Sequence, residues 1–228
     1  YDAAGHQTGA HRYAKALSLP VNPQVRLTPQ ADLVNDRTQA SGYDRDGRQI
    51  WVEDGNQQRT SYTYDGAGNC IQITDPLGHA TVQYYDQVGR KRLTVNAVGD
   101  AVAFTYDAAG NLKTQTQYAN RVAVPVDPQQ WPTLVADAQH DRHQRFDYDL
   151  DNRVSVAYDG LDQATRYTYD GAGHRIKTID ARGNASFAYY NKLGQVQLSI
   201  DAGGYVTQTL YDHAGNPTSQ TRYAKAVN

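Results

Sequence analysis

The densest acidic stretches, Asp147-Tyr148-Asp149-Leu150-Asp151-Asn152 and Asp44-Arg45-Asp46-Gly47, alternate carboxylates as the opening of a calcium loop does. Such a loop needs Gly sixth and Glu twelfth, and the first stretch has Asn152 and Tyr158 at those places. The expected role of these side chains is turn capping, and no metal site is predicted. The seven histidines are His6, His11, His79, His140, His143, His174 and His213. Three of them, His6, His79 and His174, follow a turn glycine at a position where Asn or Arg also stands, which reads as an exposed turn flank. His140 and His143 are spaced to offer two ligands, yet the chain's internal duplicate has Asn35 and Thr38 there. Cys70 is the single cysteine, which excludes an internal disulfide framework and a Cys-based zinc site. Its duplicate position is Arg175, so an inert thiol is expected. No Gly-x-Ser-x-Gly, phosphate loop or dinucleotide fingerprint is present. No catalytic or cofactor-binding residue is assigned, no cofactor is expected, and the chain is read as a non-enzyme.

The Asp residues belong to a repeat. Tyr-Asp followed by Gly three residues after the Asp occurs at Tyr1/Asp2/Gly5, Tyr43/Asp44/Gly47, Tyr64/Asp65/Gly68, Tyr85/Asp86/Gly89, Tyr106/Asp107/Gly110, Tyr169/Asp170/Gly173 and Tyr211/Asp212/Gly215. Tyr148/Asp149 keeps the register with Asn152 in the glycine place, and Tyr190 keeps it with Asn191 and Gly194. The steps are 21 residues, except for 1 to 43 and 106 to 148, which are 42. These residues are the predicted structural motif.

A second set of turns lies between the first. Asp54-Gly55, Asp75-Pro76-Leu77-Gly78 and Asn96-Ala97-Val98-Gly99 recur 21 apart, as do Asp159-Gly160, Asp180-Ala181-Arg182-Gly183 and Asp201-Ala202-Gly203-Gly204. Asp or Asn followed by Gly at i+3 predicts a type I turn whose glycine is left-handed, with the Asp carboxylate accepting from the backbone ahead of it. Turns every 10 or 11 residues leave strands of about six residues. Tyr62/Tyr64, Tyr167/Tyr169, Phe104/Tyr106 and Phe146/Tyr148 put aromatics on one strand face at period two. The prediction is all-β: an antiparallel meander of 21-residue hairpins, forming a curved, spiralling ribbon because about eighteen strands exceed what an open sheet tolerates.

A longer period is 105. Tyr13-Ala14 matches Tyr118-Ala119, Asp36-Arg37 matches Asp141-Arg142, and Tyr62 to Gly68 is repeated letter for letter at Tyr167 to Gly173. About 40 of the 105 positions are identical. The expected organisation is one continuous array: block one over 1–105, block two over 106–210, and the start of a third over 211–228. In each block one slot is expected to lack its second turn and return strand. Inserts are expected over 17–42 and 122–147, each an extended Pro-punctuated crossing followed by a short helix. Thr28-Pro29 and Pro132 at helix-start positions place those helices around 29–38 and 132–142. Leu33/Val34 and Leu134/Val135 would pin one face to the sheet.

Composition narrows the class. Leu, Ile, Val and Phe fill about 40 positions and the mean hydropathy is −0.74, while tyrosine supplies 18 residues against three Phe and two Trp. Tyr can bury its ring and keep its hydroxyl wet, which suits half-buried strands. A net charge of −2 gives no footprint for nucleic acid or anionic membrane, and no run is long and apolar enough to span a bilayer. With no Met and Tyr1 at its start, the chain is expected to be a segment of a longer polypeptide.

Tyr-Asp-x-x-Gly-Asn/Arg alternating with Asp-x-x-Gly at this spacing resembles the Rhs/YD-repeat family over nearly the whole chain. The resemblance implies a β-ribbon spiralling into a hollow shell. In insecticidal toxin complexes and Rhs polymorphic toxins that shell encloses a C-terminal toxin, and teneurins carry a related barrel used in adhesion. The Pro-containing inserts look more like very long bacterial YD-repeat surface or secreted proteins. The core segment with an aspartic self-cleavage site and the variable effector tail are not seen; Asp75-Pro76-Leu77-Gly78 is in turn register. The expected function is a non-catalytic scaffold segment of a secreted or surface bacterial protein, with flanking YD repeats and an enclosed C-terminal effector domain as partners. The second reading is an adhesin-like module that binds glycans or self-associates through strand edges.

Overall fold

The computed structural model describes residues 1–15, 29, 32 and 36–227. They fall into two compact units, residues 1–102 with 120–136, and residues 103–119 with 137–228. The strands of unit 1 are β1 (Gly9–Arg12), β2 (Arg37–Tyr43), β3 (Gln49–Glu53), β4 (Arg59–Tyr64), β5 (Cys70–Thr74), β6 (Ala80–Tyr85) and β7 (Lys91–Val95). Strand β8 (Ala101–Tyr106) carries the boundary. Unit 2 continues with β9 (Leu112–Gln117), β10 (Arg142–Tyr148), β11 (Val154–Tyr158), β12 (Ala164–Tyr169), β13 (Arg175–Ile179), β14 (Ala185–Tyr190), β15 (Val196–Ile200), β16 (Tyr205–Tyr211) and β17 (Pro217–Ala226). From β1 to β7, and from β9 to β17, each strand pairs antiparallel with the next. The fold is an all-β antiparallel meander.

The hairpins form because their turns are locally encoded. In the Asp65 turn, Gly68 N–H donates to the Asp65 carbonyl at 3.1 Å and Asp65 N–H to the Asn69 carbonyl at 3.0 Å. A type I turn followed by a left-handed residue gives a twist that suits paired strands. The register shift beside it, between Thr63 and Tyr64, is a bulge that recurs in the same place at Tyr43, Tyr85, Tyr148, Tyr169, Tyr190 and Tyr211. Glycine takes the left-handed place in twelve turns; Gln57 at φ 61°, Asn152 at 60° and Asp162 at 57° take it elsewhere. In the Asp54 and Asp159 turns it is therefore Gln57 and Asp162, and not Gly55 or Gly160, that turn the chain.

The helix predicted around 132–142 is absent, and the described residues contain no helix. Asp137 makes one isolated turn instead: its carbonyl accepts Asp141 N–H at 2.8 Å and its carboxylate accepts Gln139 N–H at 3.0 Å. A segment this short gains too few hydrogen bonds to offset helix nucleation. Val135, expected to pin the helix, is 58% exposed. The other predicted helix, around 29–38, and the crossing over 17–27 lie mostly outside the described residues, and Arg37 and Thr38 begin β2. Strands β2 and β10 also occupy the last residues of the stretches expected as inserts. The return strands expected to be missing are present as β1 and β9, which pair with β2 and β10. Each excursion thus replaces a turn: Arg12 opposes Arg37 and Gln117 opposes Arg142.

Residues 120–136 form an extended strap over one face of unit 1. On that face Val82 opposes Val95 and Tyr84 opposes Leu93, and all four are at most 7% exposed. The strap is joined to it at three points. Val122, itself buried, donates its N–H to the Gly99 carbonyl at 2.8 Å. The Tyr84 hydroxyl donates to the Asp127 carbonyl at 2.7 Å, and the Trp131 ring lies 5.4 Å from the Tyr84 ring. The fully buried large side chains of the described residues, Leu93, Val82 and Val95, are all here.

Gly99 has φ 88° and any Cβ on it would collide with the Val122 carbonyl, whereas Gly78, at φ 85°, has open space around it. Gly78→Ala should cost about 1–2 kcal/mol, the left-handed penalty alone. Gly99→Ala should cost at least about 1 kcal/mol more in denaturant unfolding and should expose the strap to protease, because only there must the packing also open. Equal costs would show that the Val122 contact constrains nothing.

Candidate functional site

The residues that could do chemistry are gathered at the turns. In the Asp65 turn, Oδ1 accepts N–H bonds from Ala67 at 2.9 Å and Asn69 at 2.8 Å, and Oδ2 accepts the Asn69 side-chain amide at 2.9 Å. The same arrangement closes the Asp149 turn with Arg153 and the Asp170 turn with His174. Where Asn replaces Asp, the partner four residues on changes polarity. Asn191 Nδ2 donates to Gln195 Oε1 at 2.7 Å, and Asn96 Nδ2 donates to Asp100 Oδ2 at 3.1 Å. The two positions are therefore a matched donor and acceptor, not two independent choices.

The glycines of the predicted motif do not gather into one site; each closes its own turn. Gly5, Gly47, Gly68, Gly89, Gly110, Gly173, Gly194 and Gly215 donate their N–H groups to the carbonyls of Asp2, Asp44, Asp65, Asp86, Asp107, Asp170, Asn191 and Asp212 at 3.0–3.1 Å. Their φ angles run from 76° to 92°, and Asn152, in the glycine place of the Asp149 turn, makes the same bond at 3.1 Å. Gly5 has open space around it, but the other turns are not all free. A Cβ on Gly89 would meet Asn69 Oδ1 at 3.3 Å, and one on Gly215 would meet Gln195 Nε2 at 3.0 Å. These glycines therefore also admit the side chain that caps the preceding Tyr-Asp turn, a second role that the type I turn alone did not foretell. Among the motif tyrosines, Tyr1 stands apart at 86% exposed.

The capping partner also reaches the next hairpin. The Arg153 guanidinium lies 4.7 Å from the Tyr169 ring centroid and donates to the Asp170 carbonyl at 3.3 Å. Arg48 repeats this over Tyr64, and the His174 ring stacks on Tyr190 at 4.6 Å, as His6 does on Tyr43 at 4.8 Å. These two histidines are thus bridges between hairpins and only about one-third exposed; His79, in the other set of turns, is 61% exposed, as a turn flank should be. The Tyr hydroxyl completes the bridge by donating to a carbonyl one hairpin back: Tyr64 to Gln49, Tyr85 to Cys70, Tyr169 to Val154, Tyr190 to Arg175 and Tyr211 to Val196. Tyr43 and Tyr148 make the same bond to Gln7 and Leu112, 36 residues back rather than 15, because an excursion intervenes. Burial pushes the Tyr64, Tyr85 and Tyr148 phenols above the ordinary tyrosine value, which keeps them as donors.

Sequence spacing missed the residues that hold the excursions. Asp141 is buried; its Oδ1 accepts Ala119 N–H at 2.8 Å and its Oδ2 accepts Asp137 N–H at 2.9 Å, drawing the two ends of the loop together. Asp36 does the same with Ala14 and Asp32, its side chain 3% exposed. The identity of Asp36 with Asp141 and of Ala14 with Ala119 at a spacing of 105 was the available signal. A polar cleft opens beside each neck, about 650 Å³ near Asp141, Arg142 and Asp159 and about 590 Å³ near Asp36, Arg37 and Asp54.

The acidic runs do not gather a cation. Asp149 and Asp151 both pair with Arg153, at 2.7 and 3.1 Å, and Asp44 and Asp46 both pair with Arg48. His140 contacts Asp137 while His143 contacts Thr116, so the two do not converge on one point. Among the described residues no three His, Cys, Asp or Glu side chains are grouped to hold a metal ion. Burial pushes the Cys70 thiol above its ordinary value, which disfavours the thiolate.

Residues 43–80 and 148–185, again 105 apart, match the family model described as RHS Repeat. The chain is 34% identical, over an alignment of 168 residues that covers 67% of it, to double-stranded DNA deaminase toxin A of Burkholderia cenocepacia (strain H111), of which it covers 11%. Its fold is similar to that in the crystal structure of TcdB2-TccC3-TEV, with TM-score 0.61 and 16% identity over 83% of this chain and 10% of that one. It is likewise similar to TcdB2-TccC3, with TM-score 0.58 and 15% identity over 82% of this chain and 11% of that one. The chain spans about a tenth of the length of each of these three proteins.

The turn carboxylates give a pH dependence. Hydrogen bonds from the Arg153, His174 and Asn69 side chains, joined by backbone N–H donors, hold Asp149, Asp170 and Asp65 below the ordinary aspartate value of 3.8. A carboxyl depressed by folding contributes stability above its unfolded pKa and loses it as pH falls through the folded one. The melting temperature should therefore be flat from about pH 7 to pH 5 and fall steadily below about pH 4. A melting temperature that rises on acidification would contradict the turn assignment.

Proposed function

The chain belongs to the Rhs/YD-repeat family, and from that premise we propose that it is a non-catalytic wall segment of a large secreted or surface Rhs-repeat protein. Its blocks, 1–105, 106–210 and the start of a third at 211–228, each add hairpins to a curved shell that encloses or shields a downstream domain. A C-terminal toxin is the favoured cargo, since the matched deaminase is a toxin and the chain covers only 11% of it.

The observation that carries this reading is that the reactive side chains of the repeat are occupied within the wall. The Asp carboxylates bind their own turns and the Tyr hydroxyls bind carbonyls of the preceding hairpin. A catalytic acid, base or nucleophile needs a free reacting atom facing substrate. The adhesin reading draws less support, because the hydroxyls a sugar would engage already donate elsewhere. Among the described residues no helix is long and apolar enough to cross a membrane.

Two measurements test this. The purified chain, incubated with duplex DNA, should leave cytosine and adenine unaltered; deamination by this segment alone would overturn the non-catalytic reading. In the parent polypeptide, the downstream domain should resist proteinase K while the array is intact and become cleavable once the array is unfolded by urea at neutral pH. A downstream domain equally cleaved in both states would overturn enclosure.

A further inference from the structure

Unit 2 has the same face as unit 1 without the cover. On β14 and β15, Phe187 opposes Ile200 and Tyr189 opposes Leu198. These four stand 105 residues after Val82, Val95, Tyr84 and Leu93, the buried set beneath the strap. In unit 2, however, Tyr189 is 49% exposed and the other three are half-buried. The residues are still aromatic or aliphatic, so the face is built to be covered.

The first contact of the cover is already made. Val227 N–H donates to the Gly204 carbonyl at 2.8 Å, the same bond at the same length that Val122 makes to Gly99. A Cβ on Gly204 would come within 2.7 Å of the Val227 carbonyl, so this glycine too is reserved for a crossing chain. Tyr223-Ala224 and Val227 hold the register of Tyr118-Ala119 and Val122. The other left-handed glycines in second-set turns, Gly78 and Gly183, have nothing within 4 Å and no chain crossing them.

We infer that the face formed by Phe187, Tyr189, Leu198 and Ile200 is the seat of a strap from a third copy of the 105-residue block. Its occupant has the chemistry of residues 123–136: an extended, proline-containing segment that offers a carbonyl to the Tyr189 hydroxyl and an aromatic ring to its face. In unit 1 the strap comes from block two and covers hairpins of block one. Straps of this kind couple each block to the one before it, in addition to the pairing of neighbouring strands. The inference rests on the reading of the chain as a repeat array but not on what the array encloses.

The test is to extend the chain. A copy of residues 124–136 is appended after Asn228, which holds the register place of Ala123. Amide hydrogen exchange in β14 and β15 should slow by at least about tenfold, and the emission of the added tryptophan should move to the blue. Tyr189→Ser in the extended chain, or serine in place of the added tryptophan, should return exchange to that of the unextended chain. Unchanged exchange, with the appended residues cleaved as a free tail, would overturn the inference. So would protection of β14 and β15 that rises with the concentration of the unextended chain, which would assign the face to a second copy. Neither outcome depends on cargo or on catalysis, so the enclosure reading stands or falls separately.

Discussion

A carboxylate that organises its own turn is the constraint on which this structure depends. One Asp oxygen takes two backbone N–H groups ahead of it, and the other takes the side chain four residues on. The chain therefore reverses at a place set by a few local residues, with little dependence on a distant core. That matters in a protein whose described buried apolar residues are few and all lie in one of its two units. An array of this kind gains stability by repetition, each hairpin resting mainly on its neighbours. The bridging residue makes the dependence physical: Arg153 belongs to one turn through Asp149 and to the next through Tyr169 and the Asp170 carbonyl.

Where the array departs from regular hairpins, it does so by a second device. The carboxylates of Asp36 and Asp141 close the necks of two long excursions, so the strand ladder continues as if a simple turn stood there. The second excursion then supplies the strap over unit 1 and, with it, the driest part of the molecule. Bulk apolar burial is thus obtained in unit 1 from a loop, while the hairpins rely on turns and hydroxyl bridges. The two devices divide the work that a single hydrophobic core performs in a compact domain.

The regular part of this fold was legible because it is written in local residue types. Tyr-Asp-x-x-Gly, its 21-residue step and the period-two aromatics led to an antiparallel meander, and the chain forms one. The excursions were not legible in the same way. Pro132 with Leu134 and Val135 looked like a helix start, yet the segment has no apolar stripe to hold a helix, and Asp141 takes the Asp137 amide for the neck. The His positions were read as exposed flanks because spacing along the chain does not show that residue i+4 meets the tyrosine of the following hairpin. Likewise Gly55 and Gly160 drew attention by type, while the left-handed residues were Gln57 and Asp162. The extended crossing was legible from its prolines, but the face it covers was not, until Tyr84, Gly99 and Val122 were seen together, although each has its counterpart 105 residues later.

The central claim is that adjacent hairpins are energetically coupled through the residue that follows each turn. A double-mutant cycle of Arg153→Ala and Tyr169→Leu, measured by denaturant unfolding, tests it most directly. The account predicts that the two losses fail to add by at least about 0.5 kcal/mol, since each removes the same contact across the hairpins. Losses that add to within about 0.3 kcal/mol would show independent turns and contradict it.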